Sequence, residues 1–376
     1  MQPKRVIILG ATGSIGRSAL DVAVSRPDLF RVVAMSARSR EAELLEAGRR
    51  VPGAALCLTR SSAASPGIAY SGPDAVRRVL SEIPADIVLN GIAGAAGLLP
   101  SLEAIAAGTD LALANKETMV LAGRIVLERA AAARVRVIPV DSEHSAVFHL
   151  AERFGSQDLD ELILTASGGA FRDRPISDLS HVTPEEASIH PNWNMGRKIT
   201  IDSASMANKG LEVIEAVRFF DVEPSRVRVL IHPQSRVHAL IRMRDGALYA
   251  QISGTDMRLA IQSALSWTRT ESCAFGRLDL ADLTLSFREP EPARYPLLDL
   301  AYRAVKEGEG YTIAYNAANE TAVDLFIHRR IRFTDLAGVT AAVLDRAWPI
   351  RVDSLEEVMH LDGLARDAAL EAAKGT

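Results

Sequence analysis

Short apolar runs alternate with segments of helical hydrophobic spacing through the first third of the chain. The apolar runs have the length of buried strands and lie at residues 5–9, 30–35, 86–90, 111–114 and 135–140. The helical segments lie between them at residues 14–25, 40–49, 98–107 and 118–133. This alternation is typical of a parallel sheet with crossover helices. We therefore predict an α/β protein whose residues 1–140 form a doubly wound, Rossmann-like domain.

The middle of the chain has a different pattern, which predicts a central α+β domain over residues 141–285. Its predicted strands are mostly joined by polar loops and lie at residues 161–165, 227–231, 237–242 and 247–252. The dipeptide Asp245-Gly246 is typical of a hairpin turn. The segment 167–198 is long and rich in Gly and Pro, so we expect it to be a lid. The sequence TPEE at 183–186 predicts a short helix in it, with a capping box.

The end of the chain is predicted to be helical. Residues 286–296 are Pro-rich and have the composition of a linker. Beyond them, Leu297, Ala301 and Ala304 share one face of a predicted helix, and later segments repeat this spacing. We expect a C-terminal helical bundle over residues 297–376.

Composition excludes several classes of protein. The formal net charge of −4 argues against bulk affinity for nucleic acid or an anionic membrane surface. No apolar run approaches the roughly 18 residues of a membrane span. The two cysteines, Cys57 and Cys273, have no metal-type spacing and no flanking His or Cys. A reducing cytoplasm is therefore expected.

A glycine-rich turn at residues 10–16 (GATGSIG) follows the first predicted strand and opens a helix. Glycines at such a turn let the backbone approach a pyrophosphate, which the helix N-terminus stabilises. The alternative is a plain glycine turn. Arg38 and Arg40 follow the second predicted strand, where arginines suit the 2′-phosphate of NADP. The alternative for these arginines is a solvated surface.

Two carboxylates, Asp141 and Glu143, follow the last strand of the first domain. In an extended segment, residues i and i+2 point the same way, so both side chains would face a cleft at the carboxyl end of the sheet. Two such carboxylates suit a hard divalent cation such as Mg²⁺ or Mn²⁺. The alternative is the start of a helix capped by Asp141 or Ser142. This segment alone leaves both interpretations open.

A third carboxylate, Glu212, lies in a turn-and-helix segment with Ser203, Asn208 and Lys209. Hydroxyl, amide and ammonium groups can together bind a phosphate, and Glu212 could then complete a metal site. The alternative is an exposed Lys–Glu helix pair, worth about 0.3–0.5 kcal/mol.

Further polar residues follow other strands or lie in the expected lid. Lys116 ends a strand between Asn115 and Glu117, where its ammonium could bind a substrate oxygen. Ser167 follows a central strand. His190 and Trp193 lie in the expected lid, where an aromatic side chain would close over a ligand.

These motifs, taken in order, resemble those of the 1-deoxy-D-xylulose 5-phosphate reductoisomerase family. The resemblance covers nearly the whole chain and rests on GATGSIG (10–16), ANKE (114–117), PVDSEH (139–144), ASGGAFR (166–172), HPNWNMGRKITIDSA (190–204), NKGLE (208–212), IHPQS (231–235) and NAANE (316–320). It implies an enzyme of non-mevalonate isoprenoid biosynthesis. The enzyme would rearrange 1-deoxy-D-xylulose 5-phosphate by retro-aldol and aldol steps and reduce the product to 2-C-methyl-D-erythritol 4-phosphate. The implied cofactors are NADPH and a divalent metal (Mg²⁺, Mn²⁺ or Co²⁺), and the implied assembly is a homodimer.

The resemblance also implies roles for individual residues. Those that would contact NADPH are Thr12, Gly13, Ser14, Ile15, Asn115, Glu117 and Gly196. The metal ligands would be Asp141, Glu143 and Glu212, which with Lys116 form the expected catalytic set. The sugar phosphate would be bound by Lys116, Ser142, Glu143, Ser167, His190, Ser203, Asn208, Lys209 and Glu212, and covered by Trp193.

Three departures from the family pattern bear on these roles. Ala11 replaces a usual Ser, and Ala166 replaces a common Gly, which would stiffen the lid hinge. Arg38 and Arg40 lie where the family often has Gly-Lys-Asn. Their contacts with NADPH are therefore inferred from their charge and not from the family pattern.

Two alternative functions share the NADP-binding pattern: an NADP-dependent dehydrogenase without metal chemistry, and a non-catalytic NADP-sensing regulator. A dehydrogenase of the semialdehyde type needs a nucleophilic Cys, and neither Cys57 nor Cys273 lies in a suitable context for one. The second has no use for three carboxylates.

Overall fold

The chain forms two structural units, each assembled from several stretches of sequence. The computed structural model describes residues 2–60 and 65–375. The first unit comprises Met1–Thr118, Val126–Ser145 and Asp256–Arg277. The second comprises Met119–Ile125, Ala146–Thr255 and Leu278–Thr376.

The first unit contains a seven-stranded sheet whose paired strands are all parallel. Its strands are β1 (Lys4–Leu9), β2 (Phe30–Ala37), β3 (Ala55–Leu58), β4 (Tyr70–Ser71), β5 (Ile87–Asn90), β6 (Asp110–Leu113) and β7 (Val137–Pro139). Their order across the sheet is β4-β3-β2-β1-β5-β6-β7. The chain leaves β1 toward β2 on one side and later returns to β5 on the other. The carboxyl ends of β1 and β5 therefore form the crevice where doubly wound sheets bind ligands.

The first helices of the chain follow these strands. They are α1 (Ser14–Ser25), α2 (Glu41–Arg50), α3 (Ala75–Glu82), α4 (Leu98–Ala106), α5 (Lys116–Ala133) and α6 (Ser142–Phe154). Helix α5 is kinked at Ala122, whose φ of −146° and ψ of 30° are not helical. Residues Val6 to Leu9 of β1 are at most 1% exposed, because helices cover both faces of a parallel sheet.

The second unit contains a four-stranded mixed sheet. Its strands are β8 (Leu159–Ala166), β9 (Val227–Ile231), β10 (Val237–Met243) and β11 (Leu248–Ile252), in the order β11-β10-β8-β9. Strand β8 pairs with β9 in parallel and with β10 antiparallel. Gly246, with a φ of +89°, makes the predicted hairpin turn between β10 and β11.

The remaining α-helices lie in the middle and at the end of the chain. The middle ones are α7 (Pro184–Ala187), α8 (Arg197–Ser205), α9 (Ala207–Phe220) and α10 (Met257–Ser266). The last four are α11 (Pro296–Glu307), α12 (Glu309–Ile327), α13 (Asp335–Leu344) and α14 (Leu355–Ala372). Among the helices of residues 2–60 and 65–375, none is both long and apolar enough to cross a lipid bilayer.

The second unit has two cores that meet at helix α9. One lies against the sheet and contains Leu162 and Leu164 of β8 with Val213 of α9. The other is mostly helical and is built around α12, whose Ala314, Ala317 and other apolar residues are buried. Helix α9 thus separates a sheet from a helical bundle.

The predicted α/β class, the doubly wound sheet and the helical C-terminal region are confirmed. The capping box is also present: Thr183 Oγ1 accepts a hydrogen bond from the Glu186 amide, and Glu186 Oε2 accepts one from the Thr183 amide. Helix α10 was not predicted. It belongs to the first unit, where it packs on α1 and where Lys4 Nζ donates to the carbonyl oxygens of Leu265 and Trp267.

Candidate active site

The glycine-rich turn after β1 has the close packing that a phosphate-binding loop requires. Gly10 has a φ of +76°, and a Cβ there would lie 2.8 Å from the carbonyl oxygen of Gly91, after β5. A Cβ on Gly16 would overlap the carbonyl oxygen of Gly10. Helix α1 begins after Gly13 with no side-chain cap and no acidic residue in its first turn. Its first backbone N–H groups therefore suit an anion.

The two arginines after β2 differ in their contacts. Arg40 lies directly before helix α2 and forms an ion pair with Glu43, at 3.2 Å between Nη1 and Oε2. The exposed Arg38 side chain has no ion pair or hydrogen bond with any residue that the structure describes. Arg38 is therefore the better placed of the two to bind an added phosphate.

The ANKE motif links the end of β6 to the glycine-rich segment that follows β5. Asn115 Nδ2 donates to the carbonyl oxygens of Ile92 and Gly94, at 2.7 and 2.9 Å. Its Oδ1 accepts a hydrogen bond from the Thr118 amide and so caps helix α5. Asn115, Lys116 and Glu117 are all buried.

Asp141 is held by two basic side chains of the first unit. Its Oδ2 lies 2.7 Å from Lys116 Nζ, and its Oδ1 lies 3.5 Å from Nδ1 of the buried His144. Burial opposes ionisation, but the Lys116 charge and His144 together hold the pKa of Asp141 well below its ordinary value. Oδ1 is buried and accepts no hydrogen bond from the described residues. Asp141 thus presents an anionic oxygen that is available to a cation.

The expected extended geometry of Asp141 and Glu143 is wrong. Strand β7 ends at Pro139 and helix α6 begins at Ser142, so Glu143 lies in the first turn of a helix. The amide of Ser145 already donates to the Asp141 carbonyl oxygen at 2.8 Å. Ser142 Oγ donates to Glu143 Oε2 at 2.6 Å. The helix start therefore exists, with Glu143 in its first turn.

In the second unit, Lys209 and Glu212 form a buried pair on helix α9. They are 3% and 1% exposed and make a direct ion pair. Asn208 Nδ2 donates to the other Glu212 oxygen, Oε1, at 2.6 Å. The alternative of an exposed helix pair is therefore wrong. Lys and Glu side chains are rarely fully buried in proteins, so this buried pair is a candidate for a functional site.

His190 is held as a neutral imidazole beside Ser167. Its Nδ1 accepts hydrogen bonds from the amides of Asn192 and Trp193, so the proton lies on Nε2. Nε2 lies 2.9 Å from Ser167 Oγ, which also accepts from the Gly169 amide. Burial, with a smaller effect from Arg172, lowers the pKa of His190 to about 4. Ser167 and His190 thus form a hydrogen-bonded pair.

The remaining expected site residues of the second unit lie on or near helix α8. Gly196 is the N-cap of α8 and is exposed, and Ser203 Oγ donates to the Ile199 carbonyl oxygen at 2.9 Å. The Trp193 ring meets the buried His238 ring edge-on, at 6.1 Å between centroids. His144, which was not predicted as a site residue, lies beside Asp141, and the i,i+3 spacing of the two residues was the available signal.

Comparison with known proteins identifies the family. Three family models match: 1-deoxy-D-xylulose 5-phosphate reductoisomerase at residues 6–123, its C-terminal domain at 137–220, and the DXP reductoisomerase C-terminal domain at 252–368. The chain belongs to the 1-deoxy-D-xylulose 5-phosphate reductoisomerase family. The reductoisomerase of Ruegeria pomeroyi is 46% identical over 99% of this chain and 98% of its own length. That of Treponema denticola is 42% identical over 98% and 97%.

Solved reductoisomerase structures match over the whole fold. One, a DOX-P reductoisomerase in complex with NADPH, fosmidomycin and magnesium, has a TM-score of 0.90 and 35% identity, over 99% of this chain and 98% of that chain. The reductoisomerase of Zymomonas mobilis in complex with NADPH has a TM-score of 0.91 and 36% identity, over 100% of both chains. The family and the enzyme class inferred from the motifs are confirmed, and the two alternative functions are set aside.

Proposed function

We propose how the residues of this chain carry out the reductoisomerase reaction. The reaction converts 1-deoxy-D-xylulose 5-phosphate to 2-C-methyl-D-erythritol 4-phosphate and depends on NADPH and a divalent metal. The observation that carries this function is the match to a reductoisomerase bound to NADPH, fosmidomycin and magnesium over 99% of this chain. We propose that residues 1–140 bind NADPH and residues 141–285 bind metal and substrate. Residues 297–376 then form the helical domain, after a linker at 286–296.

The proposed metal ligands are Asp141, Glu143 and Glu212. Carboxylate oxygens are the donors that Mg²⁺ and Mn²⁺ prefer. Asp141 fits this role because its Oδ1 accepts no hydrogen bond from the described residues while Lys116 and His144 keep it ionised. When bound, the metal acts as a Lewis acid toward the substrate oxygens.

The proposed NADPH contacts are residues of the first glycine-rich turn and the ANKE motif, with one residue of the lid. They are Thr12, Gly13, Ser14, Ile15, Asn115, Glu117 and Gly196. The turn fits a pyrophosphate because a Cβ at Gly10 or Gly16 would overlap neighbouring backbone, and only glycine leaves this cradle open. Arg38, with Arg40, supplies the positive charge for the 2′-phosphate. When bound, NADPH supplies the hydride.

The proposed substrate contacts separate the phosphate from the reacting carbons. Ser203, Asn208 and Lys209 bind the phosphate, and Ser167 and His190 donate or accept at neighbouring oxygens. Lys116, Ser142, Glu143 and Glu212 face the carbons that rearrange. The Lys116 ammonium stabilises negative charge that develops on a substrate oxygen. The lid at 167–198, with Trp193, excludes water so that the intermediate is held until it is reduced.

We also propose that the protein is a homodimer in the cytoplasm. Strand β11 is an edge of its sheet and exposes Leu248 and Ile252, at 48% and 41%. An apolar open edge of this kind favours pairing with a second copy. Both cysteines, Cys57 and Cys273, are free, as expected in a reducing compartment.

One experiment tests the proposed function. NADPH oxidation is followed with 1-deoxy-D-xylulose 5-phosphate before and after complete removal of metal by a chelator. We expect turnover to stop without metal and to return when Mg²⁺ or Mn²⁺ is added. NADPH binding, measured by fluorescence in the same samples, controls for loss of fold. Turnover that survives metal removal would contradict the role of the three carboxylates.

A further inference from the structure

A buried polar network in the second unit joins helix α8 to helix α12. Asp202, on α8, is 1% exposed, and its two carboxylate oxygens have different partners. Asn319 Nδ2, on α12, donates to Oδ1 at 3.0 Å. The Lys198 ammonium lies 2.8 Å from Oδ2. Asn319 belongs to the NAANE motif, to which the proposed function gives no role, and Lys198 ends the expected lid.

The network has one allowed arrangement. An ionised carboxylate only accepts hydrogen bonds, so Asn319 must turn its NH₂ group toward Asp202. This orientation leaves Asn319 Oδ1 buried without a hydrogen bond from any described residue. The ion pair of Asp202 with the partly exposed Lys198 adds little net stability, and an unsatisfied buried amide oxygen reduces stability. The network therefore acts on the orientation of α8 and contributes little to stability.

Helix α8 carries or supports two of the proposed substrate contacts. Ser203 is the residue after Asp202, and successive helical residues lie about 100° apart, so the two side chains leave α8 in different directions. A Cβ at Gly169 would overlap the backbone of Ser203 and Ala204, so the Ser167–Gly169 turn rests directly on α8. The Gly169 amide in turn donates to Ser167 Oγ at 3.0 Å. A rotation of α8 would therefore displace Ser167 as well as Ser203.

We propose that Asp202 and Asn319 are positioning residues for the substrate phosphate. Asn319 anchors Asp202 to the helical bundle, which fixes the rotation of α8 and hence the positions of Ser203 and Ser167. The inference rests on the proposed function, because it takes Ser203, Asn208 and Lys209 as the phosphate contacts. It assigns the C-terminal bundle a part in substrate binding.

The test compares Asn319→Ala with Asn316→Ala. Asn316 lies one turn earlier on α12, is equally buried, and has no hydrogen bond from its amide to any described residue. For Asn319→Ala we expect the KM for the sugar phosphate and the inhibition constant of inorganic phosphate to rise about tenfold, a loss typical of one hydrogen bond to a charged group. The KM for NADPH should stay unchanged. Asn316→Ala should change none of these values.

Exchanging the carboxylate of Asp202 and the amide of Asn319 distinguishes a lost positioning contact from loss of the fold. Asn319→Asp alone places two carboxylates in contact and should raise both constants at least as much as Asn319→Ala. The double variant Asp202→Asn/Asn319→Asp restores one carboxylate and one amide and should recover much of the phosphate binding. If the exchange gives no recovery, or if Asn316→Ala has the same effect as Asn319→Ala, the proposal is wrong.

Activity of the wild-type protein distinguishes the positioning role of Asn319 from the proposed function. A wild-type protein that does not oxidise NADPH with 1-deoxy-D-xylulose 5-phosphate would overturn the function itself. A wild-type protein that turns over, with unchanged phosphate inhibition in Asn319→Ala, would overturn only the positioning role. Thermal unfolding of each variant shows that the compared proteins are folded.

Discussion

Lys116 Nζ lies 2.7 Å from Asp141 Oδ2, although the two residues follow different strands. The strands β6 and β7 are parallel neighbours, so their carboxyl ends lie side by side and bring the two side chains together. Both side chains are largely enclosed, at 7% and 15% exposure, so the attraction between their charges is stronger than it would be in water.

Loss of the Lys116 charge should affect the chemical step most. For Lys116→Met we expect kcat to fall about 10²- to 10³-fold, as for other lost stabilisers of developing negative charge. The KM for NADPH should change little. Steady-state kinetics check this, with the exposed Lys306→Met as the control. A kcat within about twofold of wild type would remove Lys116 from the catalytic set.

Loss of Lys209 should lower both activity and stability. For Lys209→Ala we expect kcat/KM to fall about tenfold to hundredfold, because a charge-assisted phosphate contact is lost. Breaking the buried pair removes the positive charge of Lys209 and leaves Glu212 with the Asn208 amide, so the free energy of unfolding should fall by about 3 kcal/mol. The double variant Lys209→Met/Glu212→Gln should regain stability without regaining activity. Recovery of activity in that variant would count against both residues as site residues.

Cofactor preference should depend on Arg38. For Arg38→Gln we expect the KM for NADPH to rise about tenfold, the loss of one charge-assisted contact, while the KM for NADH stays the same. Arg40→Gln should have a smaller effect because Arg40 is already paired with Glu43. Parallel rates with the two cofactors check this. Equal losses with NADPH and NADH would show that Arg38 does not bind the 2′-phosphate.

The first glycine-rich turn should not tolerate a side chain at Gly16. A Cβ there overlaps the Gly10 carbonyl oxygen, so Gly16→Ala should destabilise the turn by about 1–3 kcal/mol and weaken NADPH binding. Gly363→Ala is the matched control, because a Cβ at this exposed helical position meets no atom within 4 Å. Fluorescence titration with NADPH measures the effect. Normal affinity in Gly16→Ala would exclude the close packing described for this turn.

Folding stability should depend on pH through His238. Burial lowers the pKa of this histidine to about 4, from an ordinary value of 6.5. Between these values the unfolded chain binds a proton that the folded protein does not. The free energy of unfolding therefore falls as pH drops from 6.5 toward 4, by up to about 1.4 kcal/mol per pH unit for this group. Denaturant unfolding of His238→Gln should show a shallower dependence, and identical slopes would contradict this origin.

The local structure of most elements could be predicted from the sequence. Helix α1 begins and ends where its hydrophobic spacing predicts, and the capping box at Thr183 forms as expected. These features depend on neighbours within a few residues, whose backbone preferences and spacing are readable in one sequence. The candidate site residues could be named because their motifs resemble those of a family.

Which distant side chains meet is known only from the three-dimensional fold. Asp202 and Asn319 are 117 positions apart, and nothing near either residue in the chain indicates the other. The same holds for the return of α10 to the first unit, and for the burial that turns Lys209 and Glu212 from a surface pair into a site. Such contacts arise from the packing of whole elements, and burial then sets their electrostatic strength. The hydrophobic spacing along the chain indicates neither the contacts between distant elements nor the burial of these side chains. A single sequence could therefore not predict them.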